Sequence, residues 1–167
     1  MTRAEHHPAR APGGELRTPE PAARPSRGTT AVDVVLRGLA AAALAVDAVV
    51  HARLAHGYQS AAPEGIGEGN LFLAEAAAAA LAAVYVLIRG SKPAWVVALL
   101  TAGGGLAALL LYRYVDIPAF GPFPAMYEPV WFFDKALTAY AEGSAVLLAA
   151  TALVLRRRRS SKSAPAV

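Results

Sequence analysis

The sequence predicts an all-α fold, a four-helix transmembrane bundle, on three observations. Four apolar stretches lie at about 32–57, 70–89, 93–114 and 134–155, each close to the roughly 20 residues a helix needs to cross about 30 Å of hydrocarbon. They are rich in Ala and Leu and lack the two-residue alternation of a barrel strand, so helices are the form in which they satisfy their own backbone. Charge is expelled to the ends: residues 1–31 carry eight charged side chains, the last twelve residues carry five cations, and the 124 between carry only fifteen charges.

Residues 1–31 hold five prolines and almost no large apolar side chains, so they bury too little surface to offset their ordering entropy and read as a disordered cytoplasmic tail. His6 and His7 lie there, and two adjacent histidines in a flexible segment do not amount to a metal site. In the first stretch, Arg37 and the LAAAALA run imitate the start of a signal peptide. Asp47 and the long leader argue against cleavage, and the stretch reads as a span. The connection that follows, QSAAPEGIGEG, contains a GIGEG resembling a phosphate-binding loop, but no strand precedes it and it reads as a turn.

Pro93 falls where the third helix would begin, a position whose N–H would be unpaired in any case. The next connection, DIPAFGPFPAMYEPVWFFDK, contains four prolines, which prevent a regular helix. Its aromatic residues favour a bilayer interface, so it reads as a surface segment anchoring the fourth helix, with a lid as the alternative. Residues 156–167 read as a basic cytoplasmic tail.

Composition excludes several functions. With no cysteine there is no disulfide, thiolate zinc site or CxxC redox pair. The basic balance, pI about 9.7, comes from arginines beside apolar runs, which points to an anionic lipid surface and not to nucleic acid. Lys and Arg number six through Arg37, two in the RGSK turn and five in RRRRSSK, against Arg53, Arg113 and Lys135 on the other side. Both termini are therefore expected in the cytoplasm of a multi-pass inner-membrane protein.

The candidate functional residues are polar groups inside the spans. An ionised side chain at a helix centre costs about 2.5–3.5 kcal/mol, so Asp47, Glu75 and Glu142 each need a partner and should face the bundle interior. At 100° per residue Asp47, His51 and Tyr58 share one stripe, whereas Arg53 lies opposite and His56 is too far round to form a metal pair with His51. Glu68, Phe72 and Glu75 share a face of the second span, Thr101, Gly105, Ala108 and Tyr112 of the third, and Lys135, Thr138 and Glu142 of the fourth. The candidate polar cluster is thus Asp47, His51, Tyr58, Glu75, Tyr112 and Glu142, placed in the outward half.

His51 with these acids offers nitrogen and oxygen ligands for a divalent metal; the same groups could relay a proton, bind a polar ligand or simply fix helix register. A b-type haem is not expected, since only the first span supplies histidines. Arg37 is expected to pair with Asp33 or snorkel, and Arg53 and Arg113 to snorkel outward or pair with the buried acids. GGG at 103–105, Ala139 and Gly143 read as close-packing positions.

On His51 and Tyr58 closing the first span, GNLFLAEA at Gly69–Ala76 and the acid Glu142, residues 32–155 resemble a family of small four-helix integral membrane proteins of high-GC Gram-positive bacteria whose function is unknown. The resemblance implies architecture and supplies no catalytic residue; Asp47 and Arg53 stand outside its pattern. The four-span plan is also that of DoxX-like proteins, an analogy of architecture alone. The sequence therefore reads as an accessory membrane protein in contact with lipid, and with a second copy or another membrane protein, whose polar cluster binds a small ligand, ion or partner. The alternative is a proton- or metal-coupled transporter or membrane enzyme using His51, Glu75 and Glu142; with only four spans, transport would require an oligomer.

Overall fold

The computed structural model describes residues 30–162; the expected disordered tail and the last five residues lie outside the described residues. The fold is all-α, with four helices: α1 (Ala31–Ala61), α2 (Glu68–Arg89), α3 (Lys92–Tyr114) and α4 (Phe133–Lys162). All four are long and apolar enough to cross a membrane.

Local chemistry sets the helix ends. Thr30 caps α1, its hydroxyl accepting from the Asp33 N–H, which satisfies one of the free amides of the first turn. α2 stops at Gly90, whose left-handed φ of 48° suits a residue without a Cβ. Ser91 then caps α3, with Pro93 in the first turn as expected. α4 runs past the apolar span through Arg156–Arg159 to Lys162. Residues 156–162 of the expected tail are therefore helical, because Arg and Lys are good helix formers and their charge is favourable at a helix C-terminus.

Each helix packs antiparallel against its sequence neighbours, and α4 closes the ring on α1. We call the end carrying connections 62–67 and 115–132 the loop end, and the end carrying the Gly90–Ser91 turn the turn end. Between the turn end and the middle, the interior is made largely of alanines, among them Ala40, Ala79, Ala82, Ala98 and Ala149, with Leu44, Val86 and Trp95 filling the remaining space. Small interior residues let the helix backbones approach closely. The large apolar side chains point outward instead: Leu81, Ile88, Leu100 and Leu147 are each about 70% exposed.

At the turn end Asp33 pairs with Arg37 at 2.5 Å and with Arg156 of α4. The Arg37 guanidinium lies against Gly90, where any Cβ would collide with it. One acid and two arginines thus tie α1 to α4 and to the α2–α3 turn. At the loop end, residues 115–132 form a small antiparallel turn through Ile117–Met126 and Phe120–Phe123 bridges. The Pro122 carbonyl accepts from the Ile66 N–H at 2.8 Å, so the two loop-end connections are joined.

Candidate functional site

The sequence places an acid or histidine on the inward stripe of α1, α2 and α4, and antiparallel packing brings these to one level. Asp47 and His51, one turn apart on α1, are in contact: His51 Nδ1 is 2.8 Å from Asp47 Oδ1 and 3.2 Å from the Asp47 carbonyl. Glu142 enters from α4. One ligand atom from each of Asp47, His51 and Glu142 can be chosen so that all lie within 4.8 Å of one another. Glu75 of α2 approaches the same place, since a Cβ at Gly105 would lie 2.1 Å from Glu142 Oε1 and 3.2 Å from Glu75 Oε1.

Burial makes this arrangement unusual. Asp47 and Glu142 are 0% exposed, and His51 and Glu75 are partly buried. Among the described residues, neither Glu142 oxygen has a hydrogen-bond donor, nor does Glu75 Oε1; apart from His51, no donor reaches Asp47. Buried carboxyls without donors are costly, because the interior offers nothing in place of the water they lose. α3 contributes space here and no charge: Gly105 is where Glu142 folds over the helix backbone.

No protein-family model, curated protein or solved structure matches this chain. The chemistry of the site therefore has to be read from its own atoms.

Above the acids, toward the loop end, Phe72 of α2 contacts both neighbours. Its ring meets His51 edge-on at 5.1 Å and lies 4.3 Å from the ring of Tyr58. Beyond it is a second polar tier. Tyr58 donates from its hydroxyl to Glu128 Oε2 at 2.6 Å. The Glu128 N–H donates to the Tyr112 carbonyl, and Lys135 donates to the Glu128 carbonyl and lies 3.5 Å from its carboxylate. One loop residue thus joins α1, α3 and α4.

The predicted cluster is accordingly divided. Asp47, His51, Glu75 and Glu142 come together. Tyr58 belongs to the upper tier, because its ring passes Phe72 and its hydroxyl reaches the loop. Tyr112 joins that tier through its backbone carbonyl, not its hydroxyl. Arg113 does not pair with the buried acids and lies over the rings of Tyr114 and Trp131, while Arg53 and His56 are exposed. The four glycines expected to pack closely also separate: of these Gly105 is tightly packed, Gly103 is in ordinary contact with Val146, and Gly104 and Gly143 face open space.

Sequence reasoning missed Glu128 as a structural tie and Gly105 as the floor of the acid tier. An acid seven residues before a span-opening lysine is a faint signal for the first. The second was present in the shared stripe of Gly105 with Tyr112 but could not be told from its glycine neighbours.

The lower tier holds three carboxyls and one imidazole close together, with the Phe72 ring against His51. That combination can hold a proton or a small cation, and it shows no nucleophile, oxyanion donor or phosphate cradle.

Proposed function

We propose that the chain is a multi-pass inner-membrane protein, both termini cytoplasmic, that holds a small cation in the polar tier of its outward half and acts as an accessory module. The membrane part rests on the inverted distribution of side chains, small inside and large apolar outside, which suits lipid as solvent. The orientation rests on the Lys and Arg bias toward the turn end.

The cation part rests on one observation: Glu142, wholly buried and without a donor, faces an equally buried Asp47. Ionised together, two such carboxyls would repel each other without their hydration, and a positive charge between them removes both penalties. Hydrogen-bonded structural polar contacts would leave the Glu142 oxygens paired, and among the described residues they are not.

Two experiments test this reading. The chain has no cysteine, so Ala125→Cys in the loop-end connection and Ser161→Cys near the end of α4 are each unique labels. An impermeant maleimide applied to intact cells is expected to label the first and not the second; the reverse pattern would invert the topology. Thermal unfolding in detergent across Na⁺, K⁺, Mg²⁺, Ca²⁺, Mn²⁺ and Zn²⁺ tests the site. An ion at a hundred times its Kd adds about 2.7 kcal/mol to stability, and Glu142→Gln should abolish the gain. Melting that no cation moves would overturn the cation reading.

A further inference from the structure

We propose that Asp47, His51 and Glu142 ligate a divalent transition-metal ion, with Glu75 closing the site from α2. This deepens the cation reading above and rests on it.

The charge of the site favours a divalent ion. Asp47 and Glu142 are the two acids that are completely buried, and together they neutralise two positive charges. A monovalent ion would leave one buried carboxylate uncompensated. Glu75, partly open, has less need of a partner.

The donor set favours a transition metal over Mg²⁺ or Ca²⁺. Those hard ions take six or more oxygen ligands, and Mg²⁺ keeps several waters. Here an imidazole nitrogen supplies one donor, and the Phe72 ring against His51 leaves an apolar wall where water ligands would stand. A nitrogen with two or three carboxylate oxygens suits a low-coordinate ion such as Zn²⁺.

Distances agree with a site ready to close. Ligands bound at about 2.0–2.2 Å lie roughly 3–4 Å apart around a tetrahedral ion. The three donor atoms lie within 4.8 Å of one another, so side-chain adjustments of a few tenths of an ångström to about an ångström are enough. The Glu142 carboxyl, with no hydrogen bond to break, is free to make that movement. The ion takes the place of the proton in the 2.8 Å contact between His51 and Asp47, so loading releases a proton to solvent. Gly105 fixes the geometry from α3: its missing Cβ is the space into which Glu142 Oε1 projects.

The test uses the full chain in detergent, in a background carrying His6→Ala and His7→Ala so that the N-terminal pair cannot contribute. Chelator-stripped protein is titrated with Co²⁺. The expected result is one Co²⁺ per chain, with the visible absorption of a low-coordinate ion, displaced by Zn²⁺. Asp47→Asn and Glu142→Gln should each weaken binding at least tenfold, whereas Glu64→Gln, an exposed control, should not. Because the chain lacks cysteine, His51→Cys provides a signature that a merely structural role cannot give: a thiolate-to-Co²⁺ charge-transfer band in the near ultraviolet. Its appearance supports direct ligation even if His51→Ala fails to fold.

Co²⁺ binding that survives both acid substitutions, or a folded His51→Cys variant that binds Co²⁺ without the new band, overturns the proposal. If Na⁺, Mg²⁺ or Ca²⁺ stabilises the protein and no transition ion binds, the metal assignment falls while the cation reading stands. If no cation binds, both fall.

Discussion

α1 carries two aspartates that meet α4 at equivalent places, and they have opposite partners. Asp33 meets Arg156, and fourteen residues further along α1 Asp47 meets Glu142, fourteen residues earlier on α4. The helix pair and the spacing are the same at both levels. Only the sign of the partner differs, and with it the state of the rung. At the turn end the acid is closed by two arginines, leaving nothing to bind. In the middle, acid faces acid in a drier setting, and the rung stays open for a charge from outside. Among the described residues the bundle therefore keeps its buried carboxyl oxygens without hydrogen-bond partners at one level and fixes its helices with paired carboxylate charge and alanine packing below.

The widest effect on this contrast comes from closing the open rung with a hydrocarbon. Glu142→Leu removes a buried carboxyl without hydrogen-bond partners, and replacement of buried polar or ionic groups by apolar ones is often stabilising by about 1–4 kcal/mol. Cation-free protein should gain stability on that scale in thermal unfolding, while the stabilisation by added cation disappears. A loss of stability instead would mean that Glu142 is already neutralised within the chain.

Next in size is the floor of the same rung. Gly105→Ala drives a Cβ into the Glu142 carboxyl, and overpacking of this kind costs about 1–3 kcal/mol. Gly104→Ala, one residue away and facing open space, should be neutral or stabilising by up to about 1 kcal/mol through helix propensity. Equal effects at the two glycines, measured by unfolding in detergent, would remove the distinction between them. Tyr58→Phe should cost about 0.5–1.5 kcal/mol, the net worth of one hydrogen bond, and amide exchange should rise in residues 115–132. The smallest change belongs to the closed rung. Asp33→Asn leaves a neutral acceptor for two arginines that are themselves partly exposed, so it should cost about 1 kcal/mol, and its effect on melting should shrink further as salt is added.

Much of this was legible in the sequence, and the reason is the range over which each signal acts. The four helices and their inward faces follow from hydropathy and the 3.6-residue period, which are local. So does the i, i+4 placement of Asp33 with Arg37 and of Asp47 with His51. The partner of Tyr58 was not legible, since Glu128 lies seventy residues away and no periodicity links a span to a proline-broken loop. Nor could a run of three glycines say which of them would meet a carboxylate, because that depends on the rotation of α3 against α4. The full length of α4 was not legible for another reason: the apolar span stops at 155, but helix formation does not require apolar residues, and the arginines continue the helix.

The Pro122–Ile66 hydrogen bond has a kinetic meaning. A Cβ at Gly65 would strike the same Pro122 carbonyl at 2.1 Å, so the two loop-end connections touch backbone to backbone and neither can swing aside alone. A solute whose path ran between them would need a concerted displacement of both, a rarer event than the flip of one side chain. Occupancy beneath them would then be governed by dwell time, and a bound species would be retained through brief fluctuations in its surroundings.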